Sequence, residues 1–392
     1  MKIVIIPSGF KECLNAEEVA SSMDTGIRRF DRNVETVVIP MIDGGEGFAE
    51  TIINIKKGKL IYKKVTGPVG EQIMSHFGVY KEKGIKTAVI EMAAVAGLKL
   101  VPRSMRNPLE TTTFGVGELI TAALDENVDH IIIGCGDSGT SDGGAGMAQA
   151  LGVQFLNQHH QLLDIRGGGD LSQVEHIDLS HLDQRVAKVN IDVACNWHNI
   201  LCGEKGVARV FAPQKGATPE EVEILSDGLE HYASLIQEAM GVDVRVIPGS
   251  GASGGLGAGL LAFTNAVLHP RYDIIMQYIQ LEDHIQGADL VLTAEGCLDG
   301  QTPNGKIPSE VSRIAKLAGV PVIAITGTIG EGASINYTSG IDAYISIIQK
   351  PTSLESAMEE AAIWIADSAE AAIRQIQIGY NIAQRKYKRD VI

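Results

Sequence analysis

The first forty residues, MKIVIIPSGF KECLNAEEVA SSMDTGIRRF DRNVETVVIP (1–40), read as a strand, a helix and a second strand. Lys2–Ile6 is a short apolar run of the kind that a parallel sheet buries on both faces. Ala16–Phe30 carries apolar residues at helical spacing, and Asn15 with Glu18 has the form of a capping box at its start. Thr36–Pro40 returns to β-branched residues. A strand joined through a helix to another strand implies parallel pairing, and hence an α/β protein.

The same alternation closes the chain. Strands are expected at Asp289–Thr293, Val320–Thr326 and Ala343–Ile347, with helical patterns over Ser309–Ala318 and Ser353–Ile376. Right-handed crossovers let these strands join the first two in one flavodoxin-like (Rossmann-like) parallel sheet built from both chain ends. The expected organisation is therefore a domain from 1–60 and 270–392, with a second α/β domain inserted at 61–269. The insert carries candidate strands Thr87–Met92, His130–Gly134 and Asn190–Ala194, candidate helices Val116–Glu126 and Pro219–Met240, and glycine-rich loops.

Composition narrows the function. At 392 residues, with 45% apolar and 21% charged, the chain has the make-up of a folded globular protein. Its 33 basic and 48 acidic side chains leave a net charge of −15, which argues against nucleic-acid binding and against adsorption to anionic membranes. No stretch reaches the roughly 18 apolar residues of a membrane span. The opening shows no signal-peptide pattern, and the five cysteines form no CxxC pair, so a cytoplasmic location is expected.

Several candidate strands run into loops of glycine and acid: MIDGGEG with Asp43, Gly44, Gly45 and Glu46; GCGDSGTSDGGAG at 134–146; and AEGCLDGQTPNGK with Glu295, Asp299 and Lys306. In open α/β sheets ligands bind beyond the carboxyl ends of strands. Glycines let backbone N–H groups approach a phosphate, and neighbouring acids can hold Mg²⁺. A nucleotide-phosphate site is the physical picture.

Competing readings fall short of their requirements. Gly134–Gly136–Gly139 and Gly249–Gly251–Gly254 both match GxGxxG, but neither continues into the helix, strand and acid of a dinucleotide site. The 300–307 segment nearly spells a P-loop, yet Ile307 stands where a magnesium-ligating Ser or Thr belongs. It reads as a glycine loop with a phosphate-seeking Lys306, or as a polar loop capping the next helix. Lys11, beside a helix start that disfavours cations, reads either as a ligand for an anion or as a solvated lysine. Ser141 and Ser253 lie in G-x-S-x-G matches, but neither directly follows a strand as a nucleophile elbow requires. The histidines show no zinc spacing.

Taken in order, the segments resemble the bacterial class of glycerate kinases over essentially the whole chain. The resemblance rests on residues 1–20, DGGEG (43–47), VTGPVGE (65–71), IEMAAVAGLKLVP (90–102) and TTTFGVGEL (111–119). It continues through SDGGAGMAQALG (141–152), FAPQKGA (211–217), GASGGLGAGLLAF (251–263), EG-x-x-D (295–299) and GKIP (305–308). It implies two α/β domains with the active site in the cleft, and transfer of the ATP γ-phosphoryl group to glycerate to give 2-phosphoglycerate. The small-molecule substrate would be glycerate or a related hydroxy acid, and nothing calls for a protein partner.

By the same resemblance Lys11, Asp43 and Lys306 are catalytic candidates, and Asp192 joins them on its spacing to Asn196. Gly44, Gly45, Ser138, Asp142, Gly143, Gly254, Gly255, Glu295 and Gly305 would border the nucleotide, and Glu46 and Asp299 would hold Mg²⁺.

The chain departs from the family pattern at polar loop positions. Ser8 and Gly9 replace an Asp-Ser pair, Asn196 replaces an aspartate, Cys297 replaces an arginine, and Asp137 is gained. Asn196 can be neither a base nor a strong Mg²⁺ ligand, and Cys297 lacks the fixed cation of arginine. Asp192, four residues before Asn196, shares its face if the strand runs that far, and then compensates in part. Two outcomes remain open: a glycerate kinase that tolerates these changes, or a paralogue with another hydroxy-acid substrate or only ligand binding.

Overall fold

The structure, a computed structural model, describes residues 1–10, 13–41, 44–303 and 305–390, the last five by backbone alone. Along the chain the strands are β1 (Lys2–Pro7), β2 (Glu35–Val38), β3 (Lys59–Thr66), β4 (Gln72–Glu82), β5 (Ile85–Glu91), β6 (His130–Cys135) and β7 (Gln154–Leu156). They continue with β8 (Leu162–Leu163), β9 (His176–Asp178), β10 (Asn190–Cys195), β11 (Ala266–Pro270), β12 (Leu290–Leu298), β13 (Val322–Ile329) and β14 (Ala343–Ser346). The chain divides into two compact units, Met1–Ile42 with Gln280–Ile392, and Asp43–Ile279. The α/β class and the parallel sheet drawn from both chain ends are as expected.

In the first unit the sheet order is β14-β13-β12-β1-β2, and every pairing is parallel. Ile5 stands opposite Leu292 on one side and Val38 on the other. Because β1 is flanked by strands on both sides and covered by helices, its apolar run is fully buried, and Ile3 and Ile5 pack with Leu290, Leu292, Val19, Met23 and Trp364. The helix Ala16–Phe30 starts at the expected capping box, Glu18 N donating to Asn15 Oδ1 at 2.9 Å and Asn15 N to Glu18 Oε2 at 2.8 Å. Its Gly26 meets the final helix so closely that a Cβ there would lie 2.0 Å from the Ala366 carbonyl oxygen. That final helix, Leu354–Asp390, runs past the expected Ile376. Its continuation holds no proline and a single glycine, Gly379, whose cost of about 1 kcal/mol the helix absorbs, and the Gln377–Asn381 pair (3.1 Å) bridges that added turn.

The second unit has a six-stranded sheet, order β11-β10-β6-β5-β4-β3, and a small antiparallel sheet, β8-β7-β9. Strands β5, β6, β10 and β11 pair in parallel, while β3 and β4 are antiparallel additions that the sequence reading did not anticipate. β4 turns into β5 through Lys83 (φ 50°) and Gly84 (φ 90°), which both take the left-handed region, as a two-residue hairpin loop requires. The helix Pro219–Met240 opens at a Thr218–Glu221 capping box and closes at Gly241 (φ 71°). Among the described residues no helix is long and apolar enough to cross a membrane.

Candidate functional site

Each unit gathers polar groups where its strands end. In the first unit, Glu295 lies on the last turn of pleat in β12, and Asp299 follows the strand directly. Lys306 is the N-cap of the helix Ile307–Leu317, whose Pro308 occupies the first turn. The Lys306 ammonium donates to Asp299 Oδ1 at 2.9 Å and to the Cys297 carbonyl at 3.2 Å, and it lies 3.6 Å from Glu295 Oε2. Thr302 Oγ1 donates to Glu295 Oε1 at 2.8 Å. Gly305, just before the lysine, takes φ 86°.

These contacts set the charges. Burial pushes the Glu295 carboxyl up to about 7, against the opposing pull of Thr302 and Lys306. Burial also raises Asp299, but its bonds to Lys306, Gln301 and Thr302 outweigh that and hold it below the ordinary carboxylate range. Burial works against the Lys306 charge, and the two carboxylates more than restore it. The result is a cation held between one full and one partial anion. Ser8, in this same unit, spends both its N–H and its hydroxyl on the Ala294 carbonyl, at 2.8 and 2.9 Å.

In the second unit the loop after β6 is built around Asp142, which is fully buried. Its Oδ2 accepts from Thr113 N (2.7 Å), Thr113 Oγ1 (2.8 Å) and Gly146 N (3.3 Å), and its Oδ1 from Gly144 N (3.1 Å). The side chain thus ties its own loop to Thr113, at the start of the helix Phe114–Asp125. Gly143 N donates to the Gly254 carbonyl at 3.0 Å, and a Cβ on Gly254 (φ 69°) would fall 1.9 Å from the Thr140 carbonyl oxygen. Ser253, Gly254 and Gly255 form a left-handed turn inside the helix Ala252–Phe263, with Gly255 against Gly143. Only glycine allows the Thr140–Gly254 approach.

Lys215 enters this loop from outside it. It is 2% exposed, and its ammonium donates to Ser138 Oγ at 2.9 Å and to the Thr140 carbonyl at 2.6 Å. Burial lowers its pKa to about 7, with Asp142 pulling weakly the other way.

The 44–47 loop is stitched to the same strand ends. Gly44 (φ 83°) faces the Ala194 carbonyl, Gly45 lies against Gly136, and Glu46 N donates to Asp137 Oδ2 at 3.1 Å. Asp137, the added carboxylate, therefore has a holding role. Glu91, at the end of β5, accepts from Gly47 N (3.1 Å) and Ala49 N (3.2 Å) at the start of the helix Phe48–Lys56. Burial lifts Glu91 to about 7 despite those bonds. The Glu46 carboxylate pairs with Lys99.

Asp192 is placed elsewhere. It sits in the amino half of β10, and its carboxylate meets His130 Nε2 (2.8 Å), His269 Nε2 (2.7 Å) and Tyr278 OH (2.6 Å). β10 ends at Cys195, so the strand does not carry its alternation on to Asn196, and the sharing of a face does not arise. Asn196 Oδ1 instead accepts from His198 N at 3.2 Å, within its own turn. Lys11 and Asp43 lie outside the described residues.

The structure thus joins Glu295, Asp299, Lys306 and Gly305 in one unit. In the other it joins Gly44, Gly45, Glu46, Ser138, Asp142, Gly143, Gly254 and Gly255, and it sets Asp192 apart. Sequence reasoning singled out neither Lys215 nor Glu91. Glu91 had a signal, an acid ending a buried apolar run (TAVIE). Lys215 had none, since nothing local to FAPQKGA marks its lysine as buried.

For Mg²⁺, Asp299 and Glu295 offer hard oxygen donors gathered about one ammonium. That suits an ion held by one or two carboxylates, with phosphate and water supplying the rest. Among the described residues no three His, Cys, Asp or Glu side chains converge.

Comparison with known proteins agrees with this architecture. Residues 3–377 match the glycerate kinase family. A glycerate kinase of Halalkalibacterium halodurans is 45% identical over 358 residues, covering 91% of this chain and 93% of that protein. The glycerate 2-kinase of Escherichia coli is 42% identical over 361 residues, covering 92% and 94%. The crystal structure of a protein assigned as glycerate kinase 2 from Salmonella typhimurium LT2 superposes with a TM-score of 0.81 at 41% identity, covering 97% of this chain and 99% of that one. The chain belongs to the glycerate kinase family, and is thereby an enzyme of the phosphotransferase class.

Proposed function

We propose that the protein transfers the γ-phosphoryl group of ATP to a hydroxyl of glycerate, giving 2-phosphoglycerate, and that residues of both units serve this one reaction. The observation that carries the reading is the Glu295–Asp299–Lys306 cluster at the end of β12, in a chain of this family. Phosphoryl transfer asks for positioning and for balance of negative charge more than for covalent chemistry. Lys306, kept cationic by its two carboxylates, supplies a fixed charge for phosphate oxygens. Asp299, with Glu295, would hold Mg²⁺, which when bound neutralises charge on the nucleotide phosphates.

Gly305 leaves the backbone open beside the lysine, where a phosphate can approach. In the other unit, the 44–47 loop and the turns at 138–143 and 253–255 would border the ligands, with Lys11 and Asp43 completing the catalytic set by the family resemblance. A carboxylate that orients or deprotonates the acceptor hydroxyl belongs to this reading too.

The test is ADP release from Mg·ATP with D-glycerate present or absent, with the product identified by phosphorus NMR. Glycerate-dependent turnover to 2-phosphoglycerate is expected. Turnover only with another acid would replace the acceptor. One observation favours that second reading: Asn196 and Ser8 both spend their side chains on their surroundings, so neither restores the acid that it replaces.

A further inference from the structure

A lysine ammonium is costly to bury, and the usual remedy is a carboxylate partner. Lys215 has another arrangement. Among the described residues its hydrogen bonds go to a hydroxyl, Ser138 Oγ, and a carbonyl, Thr140 O. Asp142 acts on it only through space, its own oxygens being taken by Thr113, Gly144 and Gly146. Among the described residues, further titratable groups nearby are Asp137, next to Ser138 and accepting from Glu46 N, Tyr232, packed on Gly143, and Arg106, whose backbone lies against Gly216.

The partner hydroxyl is the outlet. Ser138 is half-buried between exposed Asp137 and buried Gly139, so one side of it reaches the surface. A hydroxyl oxygen that accepts from an ammonium has its own proton left to donate, and the neighbouring charge strengthens that donation. Two further hydroxyl oxygens of this loop, Thr140 Oγ1 and Ser141 Oγ, are buried with no protein partner. Such unsatisfied groups are rare, and they mark places where polarity is kept for something other than stability.

We infer that Lys215 is a positioning residue, fixing the Ser138 hydroxyl as an outward donor to an anionic oxygen of the substrate, either the acceptor carboxylate or a nucleotide phosphate. The inference rests on the phosphotransferase reading above and names one of its anion contacts. Lys215 itself stays inside the fold and touches no substrate.

The experiment is a double-mutant cycle of Ser138→Ala, Lys215→Met and the pair, read by calorimetric binding of D-glycerate and of Mg·ATP separately between pH 6 and 9. KM and kcat are measured alongside. Ser138→Ala is expected to weaken one of the two anions by about 10- to 100-fold, the worth of a hydrogen bond to a charged group, and to leave the other unchanged. Lys215→Met should weaken the same anion, and the double variant should be no worse than the poorer single one. In the parent protein, affinity for that anion should fall as pH rises through about 7, where the ammonium loses its proton, and this limb should shrink in Ser138→Ala, leaving for Mg·ATP only the part that Glu295, also near 7, supplies.

Independent, additive losses, effects on different anions, or a pH limb undiminished in Ser138→Ala would each overturn the inference. So would covalent capture of Ser138 by a fluorophosphonate, which would make it a nucleophile. Because Ser138→Ala removes only an oxygen at a half-buried position, the test stands even if Lys215→Met fails to fold. Coupled binding without phosphoryl product would overturn the glycerate kinase reading and leave this one standing. No binding of either anion by the parent protein would sink it.

Discussion

Lys306 and Lys215 are both lysines beside glycine turns, each in its own unit, and their surroundings drive them in opposite directions. Lys306 is partly exposed, donates to Asp299, lies near Glu295, and is held more firmly charged than a free lysine. Lys215 is buried, meets only neutral groups directly, and is lowered to about 7. Residue type alone therefore does not say what a lysine does in this family. A pinned cation suits charge balance, where the proton must never leave. A lysine poised near neutrality suits control of a neighbour's hydrogen bonding.

The sharpest way to break the comparison is to remove the pinned charge. Lys306→Met is expected to lower kcat/KM for glycerate phosphorylation by roughly 10²–10³, the usual loss when one fixed electrostatic group leaves a reacting centre. Lys306→Arg should recover part of it. A loss below threefold in steady-state assays would move the reacting phosphate away from this cluster.

Next in size is the support of the second region. Asp142→Asn puts an amide where four donors converge, so some of those donors lose an acceptor inside a dry core. A destabilisation of about 3 kcal/mol is expected, visible as a lower denaturation midpoint in urea. The Lys215 ammonium would also lose its one attractive charge and titrate lower still.

The pH dependence of stability sharpens the contrast by sign. Between about 7 and 10.5 the unfolded chain carries a proton on Lys215 that the folded protein lacks, so stability rises with pH across that window. Glu295 and Glu91, each raised from 4.5 to about 7, behave oppositely. Between those values the folded protein keeps protons that the unfolded chain has released, so stability falls as pH rises.

These three groups together give a stability minimum near neutrality, the acid limb about 3 kcal/mol for each glutamate and the alkaline limb about 5 kcal/mol as upper values. Glu295→Gln should flatten part of the acid limb in thermal melts at pH 5, 7 and 9. Lys215→Met should remove the alkaline one, its advantage over the parent shrinking between pH 7 and 10.

How far the sequence spoke depended on whether a feature was local. The β1–helix–β2 start and the β12–β14 finish were legible, because buried parallel strands are continuous apolar runs and the Asn15–Glu18 cap is a short-range code. Strands β3 and β4 were not, since β3 is a largely exposed edge strand whose lysines at 59, 63 and 64 break up its apolar run, and its only neighbour in the sheet is β4. The Glu295–Asp299–Lys306 cluster falls within twelve residues and was visible as a unit. Lys215 meets Ser138 across 77 positions, a distance that no local pattern encodes. Asp192 shows the reverse error source. Its spacing to Asn196 was correct as arithmetic, but the strand stopped one residue too soon for that spacing to mean a shared face.

Asp192 also supplies the smallest expected effect and the cleanest separation of the two ends of one sheet. The loop at 136–146 leaves the carboxyl end of β6, whereas His130 opens β6 and Asp192 stands near the start of β10. With Tyr278 these residues line a cavity of about 500 Å³ that also includes Tyr80, Asn190 and Asn265. Burial pushes the Asp192 carboxyl up, but three hydrogen bonds together hold it well below the ordinary range. Its stabilisation is therefore complete above about pH 4 and is lost as the pH falls further. Asp192→Asn keeps the shape but weakens all three bonds, so a loss of about 1–2 kcal/mol in stability at pH 7 is expected, with turnover within twofold of the parent. If turnover collapsed while the melt stayed cooperative, the ring of His130, His269 and Tyr278 would have to be read as part of the reacting centre, and the carboxyl-end loops alone would no longer account for the chemistry.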